Sequence, residues 1–109
     1  MTGDNPREPL TERHQLVELR RGAYHDSVTL MQISRSVAGT PGVLAAQVAM
    51  ATELNAEVLA AMGFAVPGEA TPNDLLIAIS AASVEAVAAG VEAAEAALAA
   101  SRRRSSSGS

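Results

Sequence analysis

The sequence predicts a small α+β fold, a ferredoxin-like or ACT-like sheet in the order β-α-β-α-β-α with helices packed mainly on one face. Three observations lead there. Residues 15–20 alternate apolar and polar with period two, the mark of a half-buried strand. Residues 75–79 are an unbroken apolar run, the mark of a central strand covered on both faces. Between and after them lie stretches with helical spacing, separated by Gly- and Pro-containing turns. Alternating strands and helices build one compact unit of three or four strands. Right-handed crossovers are expected wherever neighbouring strands are parallel.

In the first strand, Val17 and Leu19 share one side, and Glu18 and Arg20 the other. Gly22 permits a turn. Asp26 is placed to cap a helix, because its carboxylate can accept a bond from a backbone N–H with no helical partner. Leu30, Ile33 and Val37 lie on one face of that helix with Met31 beside them, and Gly39-Thr40-Pro41-Gly42 ends it. Val43–Met50 reads as the second strand. Leu44, Ala46, Val48 and Met50 point one way, while Val43, Ala45, Gln47 and Ala49 point the other. Thr52 opens a short helix around Leu54, Val58, Leu59 and Met62, ending at Gly63. A loop marked by Pro67, Gly68 and Pro72 leads through Asp74 into the third strand. Ser83 caps the last helix, with Val84, Val87, Val91, Ala94 and Leu98 as its apolar stripe and Glu85, Glu92 and Glu95 on its wet side. Residues 1–13 read as a disordered arm, 14–101 as the single domain, and 102–109 as a disordered Arg/Ser tail. A three-stranded sheet is one strand short of the full ferredoxin-like set, so an open sheet edge is expected.

Composition narrows the functions. Of 109 residues, 23 are Ala, so the elements must approach closely for the core to fill. The net charge of −4 argues against a general nucleic-acid partner, which needs a basic stripe. All 8 bases are Arg, and the run Arg102-Arg103-Arg104 reads as a solvated tail after the last helix, whose charge also complements the helix dipole, or as a contact to an anionic surface. There is no Cys, which removes thiolate catalysis, disulfides and Cys-based metal centres. His14 and His25 cannot form a metal site without carboxylate help, so no cofactor or metal is expected in this chain. No apolar stretch fits a membrane span and no secretory signal opens the chain, so a cytoplasmic location is expected.

No Walker loop, nucleophile elbow or zinc-protease signature is present. His25, Asp26 and Ser27 are adjacent on a turn and cannot face one another as a catalytic triad does. His25 therefore reads as an exposed turn residue beside a helix cap. Asp26 and Ser27 at one helix start, Thr52 and Asn55 at another, and Asn73 and Asp74 before the third strand are the candidate ligand or partner contacts. Thr52 and Asn55 sit where backbone N–H groups attract anions, and they also suit an ordinary cap. Asn73 and Asp74 suit a structural turn or a pocket shared with Thr52 and Asn55. No residue is assigned a catalytic role. If the chain were an enzyme by itself, His25, Asp26, Ser27, Asn73 and Asp74 would be its candidates.

Three stretches together look like one family: residues 21–31 (Arg-Gly-Ala-Tyr-His-Asp-Ser-Val-Thr-Leu-Met), Thr52–Gly63 with Asn55 and Leu59, and residues 70–79 (Ala-Thr-Pro-Asn-Asp-Leu-Leu-Ile-Ala-Ile). They resemble the N-terminal segment of FdrA proteins over about residues 14–100. The resemblance implies succinyl-CoA synthetase-like relatives in which ligase-like domains follow this segment. It also implies a link to a multi-subunit oxamate carbamoyltransferase of purine and allantoin breakdown, which moves a carbamoyl group between oxalurate and phosphate. The chain matches the segment alone, so the ligase-like remainder is expected as a separate subunit, or the segment as reused by itself. The function this implies is a small non-catalytic subunit of an acyl- or carbamoyl-transfer complex. It would dock on a ligase-like partner, the FdrA remainder or another carbamoyltransferase subunit, through the sheet edge and the Ala-rich last helix, with a homodimer as a further form. The alternative is an ACT-like regulatory module that binds a small molecule. Neither reading involves nucleic acid or membrane.

Overall fold

The computed structural model describes residues 14–107, with side chains described as far as Arg102. The arm expected at 1–13 and the last two residues lie outside the described residues. Strand β1 is His14–Arg20, helix α1 Ser27–Ala38, strand β2 Val43–Met50, helix α2 Glu53–Ala61, strand β3 Leu75–Ala81 and helix α3 Val84–Ser107. Helix α3 runs past residue 101, where the sequence suggested a tail. Arginine is a strong helix former, and nothing in the Arg/Ser run breaks the helix.

The sheet order is β1-β3-β2, and both neighbouring pairs are antiparallel. Strands β1 and β2 are parallel to each other but separated by β3, so the crossover through α1 spans a strand instead of joining neighbours. This is the ferredoxin-like arrangement with three strands. Strand β3 is buried along its whole length, as its apolar run predicted.

The pleat of β3 divides the core. Ile77, Ile79 and Ala81 join Leu30, Ile33 and Val37 of α1 and Ala86, Ala94 and Leu98 of α3 in the larger cluster. Leu76 and Ala78 turn to the other face and meet Leu59 of α2, Phe64 and Ala51. Val17 and Leu19 pack on this second face, so the apolar side of β1 looks away from α1 and α3.

Strand β2 departs from simple alternation. The pairing steps from Val43↔Ala81 to Ala45↔Ser80, leaving Leu44 as the extra residue of a bulge. Leu44 is therefore exposed. Val43 moves to the face of Ala46, Val48 and Met50, against the larger cluster. The stripe of α3 is also displaced. Val84 is exposed, and the buried positions are Ala86, Gly90, Ala94, Leu98 and Ser101, with Val87 and Val91 flanking them.

Small residues on α3 let it lie close to the sheet. Gly42 has φ +87°, and a Cβ there would come within 2.7 Å of the Ala86 Cβ. A Cβ on Gly90 would stand 3.1 Å from the Ile79 Cδ1. Larger side chains at these sites would lift the helix off β3.

The two sheet edges differ. Along β2, the Ser34 hydroxyl accepts from the Val48 N–H at 2.8 Å and donates to the Val48 carbonyl at 3.2 Å. The Asn55 amide donates to the Met50 carbonyl at 2.9 Å. These side chains occupy backbone groups that an added strand would need. Val48 turns its backbone outward, so Ile77 opposite it bonds β1 through Glu18, by the alternation of an antiparallel ladder. Gln15, Val17 and Leu19 then present their N–H and C=O groups at the outer edge of β1.

Candidate functional site

One end of the sheet gathers the loop after β1, the junction of β2 and α2, and the loop entering β3. Asp26 caps α1 and accepts from the Thr29 N–H at 3.1 Å and the Thr29 hydroxyl at 2.6 Å. Those bonds hold its carboxyl below the usual carboxylate range. Thr52 caps α2 and accepts from the Asn55 N–H at 3.2 Å.

Between these two helix starts lies a cleft of about 320 Å³. Leu30, Val48, Ala49 and Met50 form its apolar wall, and Tyr24, His25, Ser27, Gln47, Thr52 and Asn55 supply polar atoms. An apolar wall with a few convergent polar groups is the usual make-up of a small-molecule site. Burial, with a smaller contribution from the Arg102 charge, lowers the pKa of His25, against the opposing pull of Asp26. The imidazole is therefore neutral near pH 7.

Of the candidate residues, the structure brings Ser27, Thr52 and Asn55 together at this cleft. Asp26 stands at its border, turned to its own helix. Asn73 and Asp74 are not among the lining residues. Asn73 is exposed, and Asp74 is buried and structural. The Asp74 carboxylate accepts from the Gly22 N–H at 3.0 Å and from the Thr71 N–H and hydroxyl, both at 3.0 Å. It ties the loop after β1 to the loop before β3, and the Gly22 and Thr71 amides hold its carboxyl below the usual range. The oxygens of Asp26 are engaged by Thr29, so His25, Asp26 and Ser27 do not assemble as acid, base and nucleophile.

Tyr24 and Gln47 line the cleft but are not among the residues the sequence singles out, while His25, expected at an exposed turn and a candidate only for an enzyme acting alone, lines it too. Gln47 carried a signal, since it is the one polar side chain in an otherwise apolar second strand. Tyr24 carried none, because its position depends on how the loop folds back.

Residues 13–109 match the family model of the AllF heavy metal-associated domain. No curated protein and no solved structure gives a significant match. The family description raises the question of a metal, and heavy metals favour thiolate, thioether and imidazole donors. The chain has no Cys, and the described residues hold no group of three His, Cys, Asp or Glu suited to an ion. His14 begins β1 opposite Ala81, and His25 lies beyond the other end of that strand. His25, Met31 and Met50 all line the cleft, but Met50 is packed into the core and the Arg102 charge bears on His25. The donors among the described residues do not fit a heavy-metal centre. No described helix is long and apolar enough to cross a membrane.

Proposed function

The chain belongs to the AllF heavy metal-associated domain family, and from that membership we propose that it is a small non-catalytic subunit of an AllF- or FdrA-type complex. Such a complex moves acyl or carbamoyl groups in purine and allantoin breakdown, with oxamate carbamoyltransferase as the candidate activity. The part played by this chain is to dock on a ligase-like partner, the FdrA remainder or another carbamoyltransferase subunit. It works in the cytoplasm without a metal or cofactor of its own, and without nucleic acid or membrane.

The observation that carries this reading is the placing of the exposed apolar side chains. Tyr24, Val28 and Met31 accompany the start of α1, and Leu54 and Val58 of α2 with Met62 at its C-cap recur every fourth residue. Each is at least 42% exposed. Such rows on a small domain mark interaction surfaces. Ala86 and Ala94 of α3 are spent inside the domain, so docking falls to α1 and α2 more than to the Ala-rich helix face. A homodimer through the open edge of β1 is the other assembly that this reading admits.

Co-expression with the ligase-like part tests it. The expected result is a complex that survives size-exclusion chromatography at micromolar concentration. Replacing Leu54 and Val58 together by Glu should abolish co-elution while the melting curve stays near that of the wild type. Absence of co-elution for the unmodified chain would sink the reading.

The cleft favours a second reading, an ACT-like regulatory module that binds a small molecule. A thermal-shift screen of amino acids, carboxylates and nucleotides on the isolated chain separates the two, because only a binding module responds without a partner.

A further inference from the structure

The chemistry of the cleft narrows the class of ligand, an argument that rests on the small-molecule reading. We propose that the cleft takes a small carboxylate with a short apolar body. Leu30, Val48 and Met50 give that body an apolar wall. Among the described residues, no side-chain hydrogen bond engages the Gln47 amide, the Tyr24 hydroxyl or the His25 imidazole, and all three line the cleft. Each has a donor to offer, and Gln47 has two.

Charge selects among ligands of this size. The chain carries 12 acids against 8 bases, yet no Asp or Glu side chain lines the cleft. Two acids adjoin lining residues in sequence, Asp26 and Glu53; neither lines the cleft, and Asp26 has both oxygens on Thr29. Arg102 acts on His25 from the end of α3 and brings positive charge to that side. An ammonium ligand would meet no counter-charge there. A carboxylate would meet several neutral donors, with the Arg102 charge acting from the same side, and bonds to an ionised acceptor are the stronger kind.

The test uses the full chain and three probes of one shape: butyrate, butyramide and butylammonium. Amide NMR titration should show saturable binding of butyrate, with shifts at Ser27, Gln47 and Asn55. Gln47→Leu and Arg102→Gln should each weaken butyrate binding by about fivefold or more, with unchanged melting midpoints. Butyramide and butylammonium should bind about tenfold more weakly or not at all. If butyramide or butylammonium binds as tightly as butyrate, the carboxylate class is overturned while the small-molecule reading stands. If none of the three saturates, the carboxylate assignment is overturned, and the thermal-shift screen decides the small-molecule reading separately. Butyrate binding that ignores both substitutions, or shifts confined to the far end of the sheet, overturns the assignment to this cleft.

Discussion

At the scale of single residues, short polar contacts fix the loops around the cleft. Asp74 gathers three donors from two loops, so Asp74→Ala leaves the Gly22 and Thr71 N–H groups without their partner and unties the loops. Its melting midpoint should fall clearly further than that of Glu69→Ala, which removes only an exposed pair with Arg21 at 3.9 Å. Equal shifts would mean that Asp74 does not tie the loops. The lowered pKa values of Asp74 and Asp26 also give a direction with pH. A carboxyl with a folded pKa below its unfolded value of about 3.9 stabilises the fold above that value. The contribution is lost as pH falls through the lower, folded pKa. Melting curves from pH 6 to pH 2 should show this loss, and Asp74→Asn should flatten it. His25 acts over a higher window. Its folded pKa is also lowered, so the unfolded chain takes up the proton first, near pH 6.5. Stability should decline slightly as pH drops below that point, and His25→Gln should remove the decline.

At the scale of elements, the sequence was most readable where one side-chain pattern decides burial. The run at 75–79 marked the central strand, and Leu30, Ile33 and Val37 marked the face of α1 that is buried. The bulge at Leu44 was not readable, because an extra residue is defined only against the partner strand. The stripe of α3 was misplaced for a related reason. Valine stood out among alanines, yet close contact with β3 selects the smallest residues, so Ala86 and Gly90 face the sheet and Val84 does not. The cleft residues were readable only in part: Ser27, Thr52 and Asn55 belong to helix starts, which leave a local signature, while Tyr24 and Gln47 meet them only through tertiary folding. The close contact makes a prediction. Gly42→Ala places a methyl group against Ala86 on a left-handed backbone and should cost about 1–3 kcal/mol in denaturant unfolding. Adding Ala86→Gly should restore part of that, since it removes the clash and leaves the backbone strain. Val91→Asp puts a charge beside the larger cluster and should strongly lower the yield of folded protein, whereas Glu92→Ala on the exposed side should change stability by no more than about 0.5 kcal/mol. Wild-type melting by Val91→Asp would mean that α3 is rotated.

At the scale of the whole molecule, stability is concentrated in β3, which contributes to both core clusters. Ile77→Ala should cost about 2–5 kcal/mol, enough to unfold much of a domain this small. A cost below about 1 kcal/mol would mean that the centre of the sheet repacks freely. The same strand has a consequence in time. Strands β1 and β2 make no ladder with each other, and each finds its partner only in β3, the last of the three to be synthesised. A ribosome that has released residues 1–73 has released no sheet, only segments that cannot pair. Both strand pairings and the docking of α1 and α3 must therefore follow in one late, cooperative step. A chain ending at residue 73 should show at most weak helical circular dichroism and no cooperative melting, and ribosome-bound chains should resist protease only after β3 has left the exit tunnel.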